Sequence, residues 1–148
     1  MTLQFESYAR KGHEFVNHVA HELKTRDINH AFRVTRCVLR ALRNRLTMEE
    51  SLQMVAQLPM AIKAVYVDGW QVKKDVPRIK HIEDFLNEVL SEYGNYIPAE
   101  FSRPTEVRLA TEAVFKTLAH YVSSDEIKDV LGVLPAEIRN WLKESIAA

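Results

Sequence analysis

Four arginines recur in the stretch AFRVTRCVLRALRNRL at a spacing that could bind an anion. They are Arg33, Arg36, Arg40 and Arg43, at positions i, i+3, i+7 and i+10. A helix turns about 100° per residue, so this spacing places them within a sector of roughly 80°. Each guanidinium offers a planar fork of donors that suits a phosphate or a carboxylate. The neighbouring cations of QVKKDVPRIK could extend this basic surface: Lys73, Lys74, Arg78 and Lys80.

A simpler interpretation of the arginine stripe stays open. The sector lies opposite the apolar stripe of the same helix, where arginine is normally solvated and where acids of other helices could neutralise it. No aromatic residues are interleaved to stack on bases, so we do not expect nucleic acid as the partner. If the stripe binds anything, an anionic ligand or an acidic protein surface fits it better.

A second group with chemical potential is Glu14, His18 and His21, at i, i+4 and i+7. Carboxylate and imidazole at this spacing can bind a divalent metal inside a helical bundle. The apolar centre of this segment lies near Phe15 and Val19, however, so the three side chains should point into water. His81 and His120 look isolated. We therefore expect no metal and no cofactor.

Tyr66, Trp70 and Trp141 lie near the ends of the fourth and the eighth expected helices. We expect them to pack in the core or between halves of the chain, with a partner-binding groove as the alternative. The chain has no glycine-rich phosphate loop, CxxC pair or Gly-x-Ser-x-Gly turn, which disfavours an enzyme. Cys37 is better suited to packing than to reactivity, although nearby arginines could activate a thiol.

The elements that position these residues are expected to be helices, because the apolar residues follow a helical period throughout. The first helix should span about Ser7 to Lys24, with Phe15, Val16, Val19, Ala20 and Leu23 inward. The second should span Asp27 to about Arg45, with Ile28, Ala31, Thr35, Val38, Leu39, Leu42 and Leu46 inward. Thr47-Met-Glu-Glu50 is a capping box that begins the third helix. Pro59 should stand in the first turn of the fourth, which ends where Gly69 takes a left-handed conformation.

The second half of the chain repeats this pattern. Phe85 matches Phe15 at an offset of 70, and Val114 matches Val38 at an offset of 76. Ser123-Ser-Asp-Glu126 is a second capping box, and Pro135 begins the last helix. We predict an all-α fold of about eight helices, in two pseudo-repeated four-helix units packed as one compact domain. The first unit should span about 5–70, the linker 71–80 and the second unit about 81–148.

The pattern resembles a known family. It consists of Phe15-x3-Val19, the Val38-to-Leu42 stretch, Glu49-Glu50, Leu58-Pro59, and Tyr66 with Gly69-Trp70. These residues resemble the bacterial family called domain of unknown function 2267, over nearly the whole chain. The resemblance implies an all-helical, two-unit fold, and implies no activity, substrate or catalytic residue. The second unit departs from it, because Lys143-Glu144-Ser145-Ile146 replaces the Gly-Trp end.

Charge and composition narrow the class of protein. The net charge is zero, but residues 1–80 hold 14 Lys and Arg against 8 Asp and Glu, whereas residues 81–148 hold 6 against 12. The two halves could attract each other within one molecule or between copies. A single cysteine excludes an internal disulfide, and no run approaches the ~18 apolar residues of a membrane span. We expect a cytoplasmic protein that does not enter a membrane.

These observations favour a non-catalytic module that binds another protein or associates with itself. The alternative is a binder of anionic ligands or nucleic acid through the arginine stripe.

Overall fold

The computed structural model describes residues 4–72, 76–99 and 101–148, and these residues form eight α-helices and no strand. The helices are α1 Phe5–Leu23, α2 Ile28–Arg43, α3 Met48–Val55, α4 Met60–Val67, α5 Ile82–Tyr93, α6 Pro104–Tyr121, α7 Ser124–Gly132 and α8 Ala136–Ala147. The all-helical prediction is confirmed, and the expected helix ends agree to within a few residues. None of these helices combines the length and the apolarity needed to cross a bilayer.

Local signals in the sequence explain where the short helices begin and end. The capping box at Thr47 is formed, with its side chain accepting from the Glu50 amide and the Glu50 carboxylate accepting from the Thr47 amide. Gly69 has φ +67°, the left-handed conformation expected after α4. Pro59 precedes α4 as its N-cap residue instead of standing in its first turn.

The second capping box is only half formed, because a residue outside the box accepts the hydrogen bond from the Ser123 amide. The Ser123 hydroxyl accepts from the Glu126 amide as predicted. The Ser123 amide donates to the Gln57 side chain at 2.7 Å instead of to Glu126. Gln57 lies just after α3, so this hydrogen bond joins the ends of the α3 and α7 regions. Glu126 is buried, and burial raises the pKa of its carboxyl, with Asp129 and Glu50 adding to the shift.

The core is built where the long helices cross. α1 packs against α6, α2 packs against α5, and α2 also contacts α1, α4 and α6. Large side chains with almost no exposed surface fill these contacts: Tyr66, Phe15, Phe85, Phe101, Phe115, Leu39 and Leu42. The predicted inward face of α2 is correct except for Ile28, which keeps 40% of its surface exposed. Helix α2 therefore lies near the centre of the molecule, and both of its faces have neighbours.

Candidate functional site

The arginine stripe of α2 is mostly engaged within the molecule and is not an exposed face. Arg43 is buried, and its Nη1 donates to the carbonyl oxygens of Tyr66 and Asp68 at 2.8 and 3.1 Å. Arg40 Nη2 lies 3.6 Å from Asp68 Oδ2, and Arg33 Nε donates to the Tyr93 hydroxyl at 3.1 Å. Arg43 thus stabilises the last carbonyls of α4, where a cation is favourable.

The surroundings of the arginine stripe change the pKa of Arg43. Burial lowers the pKa of Arg43, and the neighbouring charge of Arg40 lowers it further. Within the described part of the chain, the structure shows no hydrogen bond from the Nε atoms of Arg36, Arg40, Arg43 and Arg45.

Acidic residues of α5 face the basic end of α2. Arg45 forms an ion pair with Glu88, and the Asn44 side chain donates to Glu92 Oε2 at 3.1 Å. Arg45 also donates to the carbonyl of Pro77 at 2.6 Å. The positive first half and the negative second half of the sequence therefore meet inside one molecule at the contact between α2 and α5.

Only two of the four cations that follow α4 can be compared with the stripe. Arg78 and Lys80 are exposed, whereas Lys73 and Lys74 lie outside the described residues. Arg78 lines a cavity of about 430 Å³ together with Arg45, but Asp84, Glu88 and Glu92 line it too. The charges of this cavity are mixed, which disfavours a polyanion as its ligand.

The aromatic candidates make packing contacts within the molecule. The Tyr66 hydroxyl lies 2.6 Å from Ser51 Oγ in a buried hydrogen bond, and burial raises the pKa of Tyr66 to about 12. Trp70 packs edge-on against the Tyr66 ring, with the centroids 5.8 Å apart. Trp141 is buried, and its indole N–H donates to Glu112 Oε2 at 2.7 Å. Tyr66 and Trp141 are therefore buried in the core, whereas Trp70 is only partly buried.

Cys37 is a buried packing residue. Its side chain has no exposed surface, and burial raises the pKa of the thiol to about 11, outweighing the nearby Arg36. Because the thiolate is the reactive form, this environment keeps the sulfur inert at neutral pH.

The histidines are arranged differently from the expectation. Glu14 and His21 are exposed, as predicted, but His18 is half-buried against α6. Its ring lies 4.5 Å from that of His120, centroid to centroid, so the expectation that His120 is isolated is wrong. Glu22, one turn along α1, lies 3.9 Å from His18 Nε2. Burial lowers the pKa of His18, and His120 lowers it further, which favours the neutral imidazole.

Sequence reasoning missed both neighbours of His18, Glu22 and His120, for different reasons. Glu22 follows His18 at i+4, a spacing that the sequence shows. His120 gives no such signal, because only the packing of α1 on α6 brings it close.

A groove between α1, α2 and α4 is an apolar surface feature that the sequence did not predict. Its volume is about 260 Å³ and its walls are mostly apolar: Ala9, Gly12, His13, Val16, Ile28, Asn29, Phe32, Ala61, Ile62 and Val65. Ile28 and Phe32, one turn apart on α2, keep 40% and 38% of their surfaces exposed. The sequence offered one signal for this groove. Ile28 and Phe32 form an apolar pair at i and i+4 at the start of α2, one turn before the main core positions of the helix.

Close contact of α1 with α4 shapes the floor of this groove. A Cβ added to Gly12 would lie 2.6 Å from the Ala61 Cβ. The absence of a side chain at Gly12 therefore allows α4 to approach α1 closely. Ile28 and Phe32 of α2 line the groove together with these two helices.

Comparison with known protein families places most of the chain in one of them. The family model described as "Uncharacterized conserved protein (DUF2267)" matches residues 12–141, which is most of the chain. None of the curated proteins compared with the chain matches it.

Proposed function

Since the chain belongs to the DUF2267 family, whose description assigns no activity, we propose from its geometry that it is a non-catalytic protein-interaction module. The observation that carries this proposal is the apolar groove between α1, α2 and α4. The occupant we propose is one apolar face of a partner helix, from a second copy or from another protein. A reducing compartment such as the cytoplasm suits the single buried thiol.

The shape and chemistry of the groove support this occupant. Amphipathic helices bind apolar grooves through side chains at i, i+3, i+4 and i+7. Exposed apolar surface bordered by polar residues is typical of protein-binding sites, and Asn29 and His13 stand beside Phe32 and Ile28 here. The arginine stripe is a weaker candidate, because Arg33, Arg40 and Arg43 already have partners in the same molecule.

Selection from a displayed library of helical peptides tests the proposal. The peptides carry varied apolar residues at i, i+3, i+4 and i+7, and the purified protein is the bait. We expect selected peptides whose affinity falls at least about tenfold in Phe32→Asp, a loss of ~1.4 kcal/mol at the binding site. Leu109→Asp is the matched control, because Leu109 on α6 is 50% exposed and lies outside the groove.

Sedimentation equilibrium of the same variants separates the two kinds of occupant. A dimer that Phe32→Asp dissociates and Leu109→Asp preserves identifies a second copy. A monomer whose selected peptides need Phe32 identifies another protein. A monomer that selects no peptide, or binding that both variants weaken equally, would contradict the proposal.

A further inference from the structure

Two helices from opposite halves of the chain bring three metal-binding side chains together. His18 and Glu22 come from α1, and His120 comes from the last turn of α6. One ligand atom from each residue can be chosen so that all three lie within 4.8 Å of one another. His18 and Glu22 are half-buried and His120 is exposed, so the cluster lies at the surface and is open to solvent on one side.

The chemistry of these side chains suits a late first-row divalent metal. Imidazole nitrogens with one carboxylate oxygen form a common ligand set for zinc and its neighbours. Ligand bonds of 2.0–2.2 Å in tetrahedral geometry separate neighbouring ligand atoms by roughly 3.4 Å. His18 Nε2 and Glu22 Oε1 are 3.9 Å apart, so a small side-chain rotation of Glu22 closes the difference.

The fold itself brings the three ligand side chains close together. His18 and Glu22 stand one turn apart on the same helix face, which keeps their side chains neighbours. The His18 and His120 rings are tilted by 37° and lie 4.5 Å apart between centroids. The close packing of α1 against α6 fixes this approach.

We propose that His18, Glu22 and His120 form a binding site for Zn²⁺ or a similar late first-row divalent cation. Three protein ligands leave a fourth position for water or for an exchangeable ligand, which distinguishes this site from closed four-ligand structural sites. The bound ion ties α1 to α6. Because α1 lies in the first half of the chain and α6 in the second, the metal would stabilise the contact between the two halves.

Metal titration of protein without a histidine tag tests the site. Zn²⁺ is followed by calorimetry and Co²⁺ by its visible absorption, which is intense in four-coordinate sites. We expect one site per chain, with affinity at least about tenfold weaker in His18→Ala, in His120→Ala and in Glu22→Gln. His21→Ala is the matched control, because His21 is an exposed histidine of the same helix, and its affinity should stay unchanged.

Thermal unfolding gives a second readout. An ion at 100 times its Kd should raise Tm by about 5–10 °C in the wild-type chain and leave the His18→Ala/His120→Ala variant unchanged. Circular dichroism of the metal-free variants shows that they fold. Absence of saturable binding, equal loss in His21→Ala, or unchanged binding in the double variant would each overturn the proposal. The two histidines would then be a stacked pair alone.

Discussion

At the scale of single residues, Tyr66 shows how a polar group is accommodated in the core. Its ring has no exposed surface, and its hydroxyl joins α4 to Ser51 of α3 by a 2.6 Å hydrogen bond. Tyr66→Phe leaves the Ser51 hydroxyl without this partner, so we expect the free energy of unfolding to fall by about 1–2 kcal/mol. Urea denaturation at neutral pH measures this loss, and Tyr96→Phe is the control because Tyr96 is 82% exposed.

The same residue predicts a dependence of stability on alkaline pH. The pKa of Tyr66 is raised from 10.0 to about 12, so the folded state holds the phenol proton after the unfolded chain has lost it. Its contribution to stability is complete below pH 10 and is lost as the pH rises to 12. The slope for one such group is about 1.4 kcal/mol per pH unit. We expect Tyr66→Phe to have a shallower decline between pH 10 and 12 than wild type, and equal slopes would contradict this assignment.

At the scale of helices, Gly12 controls the distance between α1 and α4. Gly12→Ala places a Cβ 2.6 Å from that of Ala61, so one helix must shift. We expect a destabilisation of about 1–3 kcal/mol despite the better helix propensity of alanine. The double variant Gly12→Ala/Ala61→Gly should recover most of it. Chemical denaturation of the two single variants and the double variant measures the coupling between the two positions. If the two changes in the free energy of unfolding simply add in the double variant, the contact is not tight.

The junction of α3 and α7 makes a separate prediction. The Gln57 side chain accepts from the Ser123 amide at the start of α7, in an exposed hydrogen bond that joins two helix ends. Gln57→Ala should therefore lower the free energy of unfolding by about 1 kcal/mol. Gln53→Ala is the control, since Gln53 is an exposed residue of α3. Equal effects of the two substitutions on the denaturation midpoint would show that the hydrogen bond contributes nothing.

At the scale of the whole molecule, local signals in the sequence predicted the helices but not which helices pack against each other. Capping at Thr47 and the left-handed Gly69 depend on neighbours in sequence, so the sequence reveals them. The position of the arginines depends on what covers the far face of α2, and a helical wheel cannot distinguish solvent from a second helix. The pairing of His18 with His120 depends on α1 meeting α6, which no sequence spacing encodes. The two-unit pseudo-repeat stays a prediction.

The use of the opposite charges likewise depends on how the helices pack, and the sequence does not reveal it. Opposite charges in the two halves of the sequence fit contacts within one molecule or between copies equally well. The ion pair of Arg45 with Glu88 shows that part of this charge is used where α2 meets α5. The proposed interaction therefore rests on the apolar groove and not on the net charge.

Mapping a bound partner by nuclear magnetic resonance tests the central claim most directly. Nitrogen-15-labelled protein is titrated with a selected helical peptide, or diluted if it self-associates. We predict that the largest amide shift changes cluster on the groove, at residues such as Ala9, Phe32 and Val65. Shift changes that concentrate on α6 to α8 or along the arginines of α2 would contradict the account.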